Sequence, residues 1–229
     1  GDFAIAMDQT AVDLSNLGFA TSFASGTDAI TIDASSVWLA STITGSAADD
    51  TITGSAAADT INGGAAADTI ISSAGSDTIT GGAGADTFRF DTVSNGADVI
   101  TDWSSADDVL NLEGGAFTMG GADAAGAISD YYEGAAGSAT VGTDYDVMVL
   151  TGAEYATSAL AAAAVNTRIT SDGNDGVIVY FNSTSDVATM IHETDMGAGG
   201  TVTDVATFTG ITALADMAAS FATGDFVVI

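Results

Sequence analysis

Five aspartates recur at intervals of nine residues, and each is followed by a threonine and then by an apolar residue. They are Asp50, Asp59, Asp68, Asp77 and Asp86. Carboxylates can act as general acids or bases, but the chain has 31 acidic residues, so a pair of them is not diagnostic of catalysis. A regular series of carboxylates is better suited to binding hard cations, which prefer oxygen ligands.

The elements that carry these aspartates are predicted to be short strands and turns. Thr-Ile-Thr and Thr-Ile-Asn segments favour extended backbone, because β-branched side chains pack well on a pleated surface. Gly63-Gly64 and Gly81-Gly82 permit turn conformations that are closed to other residues. A strand and a turn in every nine residues is the period of a solenoid. With two units per coil, two apolar stacks face each other, namely Ile43, Ile61 and Ile79 against Ile52, Ile70 and Phe88.

Stacked coils lie about 4.8 Å apart, which places Asp50, Asp68 and Asp86 in one column and Asp59 with Asp77 in the opposite one. Carboxylates at that distance repel by about 1 kcal/mol per pair in water, and by more when they are buried. Lys and Arg total only 2, so the protein cannot supply the counter-charge. Ca²⁺ can, because it accepts oxygen ligands in flexible geometry. The alternative is a metal-free solenoid edge whose aspartates only hydrogen-bond the turns.

The last unit, residues 81–89, matches the nonapeptide G-G-x-G-x-D-x-U-x of calcium-binding parallel β-rolls, in which U is a large apolar residue. This part of the chain resembles RTX proteins, which carry the hemolysin-type calcium-binding repeat. The resemblance implies Ca²⁺ between successive turns on one edge, held by aspartate side chains and turn carbonyls. The implied ligands are Asp50, Asp59, Asp68, Asp77 and Asp86, with Gly63, Ala65, Gly81 and Ala83 in the turns. The unit at Gly63 has Ala66 in place of the third glycine.

Residues 98–103 and 107–112 resemble the segment that closes the β-roll in type I-secreted RTX proteins. Asp98 and Asp102 are therefore candidate ligands of a terminal calcium, and ordinary strand-to-turn junctions are the alternative. The predicted fold is mainly β, with a short calcium-binding parallel β-roll flanked by further strands and one or two short helices. The predicted domains are N-terminal strands over 1–41, the roll and its closing segment over 42–113, and a β-rich domain over 114–229.

Outside the repeats, alternating sequence predicts strands over 29–33 and 36–39, with Trp38 capping the roll core. A loop is expected over 114–142 and a strand over 145–150. Thr151 and Glu154 form a capping box ahead of a predicted helix over 153–165. Three further strands are expected over 177–181, 187–192 and 202–208, and a short helix over 213–222. The ending, an acidic residue before terminal hydrophobics, resembles a type I secretion signal, and a final strand is the alternative.

The amino-acid composition limits the kinds of partner that the chain can bind. The net charge of −29 disfavours nucleic acid and anionic membrane surfaces, both of which need Lys and Arg. Only four of the acidic residues are glutamates, a bias typical of turns and calcium loops; adaptation to high salt is a competing explanation. The sequence contains no run of 18 apolar residues, so we do not expect a membrane-spanning helix. Cysteine is absent, so bound metal and not a disulfide is expected to stabilise the fold. The first residue is Gly, which indicates a piece of a longer polypeptide.

Motifs for catalysis are missing from the sequence. His192 is the only histidine, H-E-x-x-H and G-x-S-x-G do not occur, and we expect no enzyme activity. The composition resembles surface-layer proteins of Gram-negative bacteria. We therefore predict a calcium-dependent extracellular structural protein, a surface-layer, filament or adhesin subunit exported by type I secretion and assembling with itself, with a cell-surface glycan as a further candidate partner. The alternative is the C-terminal secretion and folding module of an RTX exoenzyme.

Overall fold

The computed structural model describes residues 3–6, 11–13, 30–93, 96–113, 131–136, 146–166, 175–194 and 200–228. These residues form two compact units, one within 1–91 and 95–111 and the other within 92–94 and 112–229. The strands of the first unit are β1 (Phe3–Ala6), β2 (Ala11–Asp13), β3 (Ile30–Asp33), β4 (Thr42–Thr44), β5 (Asp50–Thr53), β6 (Thr60–Ala65), β7 (Thr69–Ile71), β8 (Thr78–Ala83), β9 (Thr87–Phe90), β10 (Asp98–Ile100) and β11 (Val109–Leu112).

The first unit is a parallel β-roll. Odd-numbered strands lie in one sheet in the order β1-β3-β5-β7-β9-β11, and even-numbered strands lie in the other in the order β2-β4-β6-β8-β10. Strands of adjacent coils pair in parallel at a separation of 18 residues through the repeats, so Ile61 lies beside Ile43 and Ile79. The other sheet aligns Ile70 with Ile52 and Phe88. These apolar side chains are all buried and form the thin core of the roll.

The mainly β fold with a parallel β-roll is confirmed, but residues 36–39 correct a local prediction. They lie outside the described strands, and Trp38 is 87% exposed, so it does not cap the roll core. A tight turn explains the difference. The amide of Val37 donates to the carbonyl of Ala34, and the amide of Ser35 donates to the Asp33 carboxylate. This turn directs Val37 inward and leaves Trp38 on the surface.

The second unit contains a five-stranded sheet. Strands β12, β13 and β14 pair in parallel, whereas β15 runs antiparallel to both β14 and β16. Helix α1 packs on this sheet through Ala161, Ala162 and Val165, which contact a cluster that includes Met148 and Tyr180. The elements of this unit are β12 (Tyr131–Gly134), β13 (Val147–Tyr155), α1 (Ser158–Asn166), β14 (Gly176–Asn182), β15 (Val187–Glu193), β16 (Val202–Phe208), α2 (Met217–Ser220) and β17 (Phe226–Val228).

The predicted start of the long helix is wrong. Residues 151–155 continue β13, in which Glu154 pairs with Phe181 after a register shift, and α1 begins only at Ser158. Thr157 provides the cap instead, since its hydroxyl accepts from the amide of Leu160 at 3.3 Å. Sheet pairing outweighs a capping box, which contributes only about 1 kcal/mol.

The other predictions for this unit meet the structure to different extents. The strands predicted over 177–181, 187–192 and 202–208 are β14, β15 and β16 within one residue at each end. The helix predicted over 213–222 is reduced to a 3₁₀ turn, Leu214–Asp216, followed by α2. Most of the loop predicted over 114–142 lies outside the described residues, and part of it is strand β12. No helix among the described residues could cross a membrane, because the longest has 9 residues.

Candidate metal centre

The aspartates of the repeats form two hydrogen-bonded columns, one on each edge of the roll. In the first column, the amide of each aspartate donates to Oδ1 of the aspartate in the next coil. Asp50 donates to Asp68 at 2.8 Å, and Asp68 donates to Asp86 at 2.9 Å. In the second column Asp59 donates to Asp77 at 2.7 Å. Each carboxylate is thus held by the backbone of the coil before it.

Both columns continue beyond the nonapeptides. The amide of Asp77 donates to Asp98 at 3.0 Å across 21 residues, and that of Asp86 donates to Asp108 at 3.0 Å across 22 residues. The sequence predicts Asp98 as a site residue, whereas Asp108 is a further member of the column that the sequence prediction does not include. A signal was present, because Asp108-Val109-Leu110 has the same order of acid, strand residue and large apolar residue as Asp86-Thr87-Phe88. Asp108 lies 22 residues after Asp86 and not 18, so the nine-residue period does not predict it.

Asp102 lies outside the two columns. Its Oδ1 accepts from the amide of Gly81 at 2.9 Å, and its Oδ2 accepts from the amide of Gly82 at 2.8 Å. The carboxylate therefore clamps the turn that opens the best-matching nonapeptide. Its assignment as a terminal calcium ligand stays a prediction, as do the assignments of the other ligands named from the sequence.

Burial disfavours the ionised form of several column carboxylates in the absence of a cation. All seven are at most 5% exposed. Burial raises the pKa of Asp68 to about 8, and the neighbouring charges of Asp50 and Asp86 contribute to the rise. For the same main reason the pKa of Asp77 rises to about 7 and that of Asp98 to about 6. The roll therefore needs either protons or a cation at these positions near neutral pH.

Two carboxylate oxygens are left over in the middle of the columns. Within the described part of the chain, Asp68 Oδ2 and Asp77 Oδ2 are buried and accept no hydrogen bond. A buried charged oxygen without a partner is strongly unfavourable. One such oxygen in each column fits a cation at both edges, as calcium-binding repeats would require.

The turns beside these oxygens fit a cation as well. A side chain on Gly63 would collide with Asp68 Oδ2 and would come within 2.6 Å of the carbonyl oxygen of Gly81. Glycine thus lets carboxylate and carbonyl oxygens approach each other between coils. Ala66 replaces the third glycine of its turn yet keeps left-handed backbone at φ 82°, a conformation that costs about 1–2 kcal/mol. The turn geometry is therefore retained where the repeat sequence is not.

Side chains alone do not complete a cation site. No group of three or more His, Cys, Asp or Glu side chains converges anywhere in the described residues. Each coil contributes one column aspartate per edge, so a calcium ion there would need further oxygen ligands from the backbone or from water. The turn at Gly63 and the turn at Gly81 lie on the same edge, with Ala65 paired to Ala83. These four residues are the predicted carbonyl ligands, and their alignment across two coils suits ligands that are shared between turns.

A comparison with known families decides the nature of these turns. The model of the RTX calcium-binding nonapeptide repeat, which spans four copies, matches residues 40–70 and again residues 63–92. Residues 40–92 are RTX calcium-binding nonapeptide repeats. No curated protein matches the sequence, so no function can be transferred from a whole-chain relative. RTX nonapeptides bind Ca²⁺, and the RTX roll is a structural calcium-binding domain. RTX repeats indicate a type I-secreted protein of a Gram-negative bacterium.

The residues of the RTX roll would hold a cation through their negative charge and through the orientation of their aspartates. A calcium ion held by these residues would supply positive charge that offsets the carboxylates. Amides of the preceding coil orient each aspartate through Oδ1, which leaves Oδ2 of Asp68 and of Asp77 facing the turn. Because adjacent coils must both be in place to present these oxygens, binding of a cation there would be coupled to coil closure.

Replacing Asp68 and Asp86 together by Asn should raise the free calcium at half-saturation at least tenfold. Each substitution removes a predicted charged ligand from the first column, and about 1.4 kcal/mol of lost binding energy suffices for a tenfold change. Isothermal titration with CaCl₂ measures the effect. Asp33→Asn is the matched control, since Asp33 lies on the exposed side of β3 and hydrogen-bonds only its own turn. An unchanged titration in the double variant would contradict the assignment of these two ligands.

Proposed function

We propose that this chain is part of a calcium-dependent extracellular structural protein, a subunit of a surface layer, filament or adhesin that self-assembles after type I secretion. The observation that carries the proposal is the pair of buried carboxylate columns with an unpartnered oxygen in each. Such a roll is unstable where calcium is scarce and stable where it is plentiful. The chain would therefore stay open in the cytoplasm and close outside the cell.

The second unit supports a structural role over catalysis. The only histidine of the chain, His192, lies inside β15 and is 1% exposed. Its Nε2 lies 3.2 Å from Asp175 Oδ2, and burial lowers the pKa of the imidazole. A histidine that is closed off from solvent is not accessible to a substrate. The unit buries its functional-looking groups in a packed sheet, as a structural subunit would.

The domain proposal follows from the same features. Residues 42–113 would act as the calcium-gated roll, with 1–41 leading into it and 114–229 supplying the surface that associates. Over a hundred residues follow the repeats, which is more than export alone requires. A cell-surface glycan is proposed as a further partner of the assembled form, and the acidic ending from Asp225 as part of the secretion signal.

Calcium-dependent assembly tests the proposal. Purified chain at fixed concentration should scatter light and form ordered sheets or filaments, visible by negative-stain electron microscopy, on addition of millimolar CaCl₂. EGTA should reverse the scattering, and NaCl of equal ionic strength should not reproduce it, because screening alone leaves the buried oxygens unpaired. A chain that folds with calcium but remains monomeric at every concentration would contradict the structural role and favour an export module.

A further inference from the structure

The turns of the roll are of two kinds. In the turns that begin at Gly45 and Gly54, the second position is a serine with ordinary backbone angles. In the three later turns the second position is Gly64, Ser73 or Gly82, all with positive φ. This switch in backbone conformation decides where the amide at the second position points.

In the first kind of turn the serine satisfies the aspartate. The amide of Ser46 donates to Asp50 Oδ2 at 2.6 Å, and its hydroxyl donates to Asp50 Oδ1 at 3.2 Å. The amide of Ser55 donates to Asp59 Oδ2 at 2.5 Å, and its hydroxyl donates to Asp59 Oδ1 at 2.8 Å. Asp59 Oδ1 also accepts from the amide of Ser41 at 2.6 Å. Both oxygens of each carboxylate therefore have donors.

Each of these serine hydroxyls also accepts a hydrogen bond from within its own turn. The amide of Ala48 donates to Ser46 Oγ at 3.1 Å, and the amide of Ala57 donates to Ser55 Oγ at 3.2 Å. The hydroxyl thus lies inside the turn, bonded to backbone on one side and to the carboxylate on the other.

Two of the three turns of the second kind, those beside Asp68 and Asp77, leave an oxygen bare. Ser73 occupies the same position as Ser46 and Ser55, but its φ is 73°, and within the described residues Asp77 Oδ2 accepts no hydrogen bond. Asp68 Oδ2, beside Gly64, is in the same state. The difference thus follows the backbone of the second position and not simply the presence of a serine.

We propose that Ser46 and Ser55 replace calcium in the first two turns of the roll, so that calcium enters only from the turn at Gly63 onward. The ligand predictions at Asp50 and Asp59 would then fail, whereas those at Asp68, Asp77 and Asp86 would hold. The far ends of the columns are closed similarly, since Asp98 Oδ2 accepts from Ser72 Oγ at 2.8 Å and Asp108 Oδ2 accepts from the amide of Ser104 at 2.9 Å. The inference concerns ion occupancy and holds whether or not the chain assembles.

Counting bound calcium by native mass spectrometry tests this proposal on the full chain, at a calcium concentration just sufficient to saturate the wild type. Asp50→Asn with Asp59→Asn should leave the count unchanged, and Asp68→Asn with Asp77→Asn should lower it. Far-UV circular dichroism in calcium verifies that each variant is folded. A reduced count in the folded Asp50/Asp59 variant would overturn the proposal.

A second pair of variants decides the matter if the Asp50/Asp59 variant does not fold. Ser46→Gly with Ser55→Gly removes the hydroxyls and frees the backbone for positive φ, so the count should rise by one or two ions. Ser73→Gly is the control, because that turn already has positive φ, and its count should not change. In that case an unchanged count for the Ser46/Ser55 variant would overturn the proposal.

Discussion

Withdrawal of calcium with excess EGTA at pH 8 should remove most of the β signal of the roll in far-UV circular dichroism, and added CaCl₂ should restore it. Within each column the ionised carboxylates repel one another. The unpartnered oxygens of Asp68 and Asp77 are buried without a hydrogen bond. A ligand present at a hundred times its dissociation constant stabilises by about 2.7 kcal/mol per site. A few such sites account for a large part of the about 5–15 kcal/mol that holds a domain folded.

Two controls make this result specific. MgCl₂ at the same concentration should not restore the signal, because Mg²⁺ is smaller and requires near-octahedral ligands at shorter distances. Hydrogen exchange should locate the loss of protection in β4 to β11, since the columns lie only there. A roll that keeps its protected amides in EGTA at pH 8 would refute calcium-coupled folding.

Mild acid should replace calcium. Without the ion, Asp68 and Asp77 have pKa values of about 8 and about 7 in the folded roll, against an ordinary value of 3.8. Between about pH 4 and pH 8 the folded state therefore holds protons that the unfolded chain has released, so stability falls as pH rises through this window. We expect the calcium-free roll to be folded at pH 5 and unfolded at pH 8, as followed by circular dichroism.

The pH profile can be assigned to particular carboxylates. Asp68→Asn with Asp77→Asn mimics the protonated side chains and should flatten the profile between pH 6 and pH 8. Asp33→Asn should leave it unchanged, because hydrogen bonds from Ser35 lower the pKa of that exposed carboxyl and move its titration below the window. If the Asp68/Asp77 variant keeps the wild-type profile, the buried columns do not control acid folding.

The roll could be predicted from the sequence because its interactions repeat. Nine-residue spacing dictates which residues stack, so the apolar stack at Ile61 and the two aspartate columns follow from the period alone. The shortage of Lys and Arg likewise points to an external cation. Because the repeat is regular, the position of each coil follows from that of its neighbour. No contact between residues far apart in sequence is needed to place them.

Where the period ends, prediction from sequence weakens. Asp108 joins the first column only because a longer connection brings β11 back into register, and no fixed spacing marks it. Residues 151–155 carry a helix signal but extend β13, since pairing with β14 outweighs a local capping preference. Trp38 has the residue type of a core cap, yet one tight turn at Ala34 directs Val37 inward in its place.

A strict period and short-range chemistry are enough to specify a repeating coil, so the calcium-binding solenoid between residues 42 and 86 could be predicted from its residues alone. Packing between coils determines which carboxylates keep an oxygen free for a cation. Ser55 and Ser73 occupy the same position of the repeat. Ser55 hydrogen-bonds the carboxylate of Asp59, whereas Asp77 Oδ2, beside Ser73, accepts no hydrogen bond in the described residues. That difference arises from the sign of one backbone angle, which depends on how neighbouring coils pack.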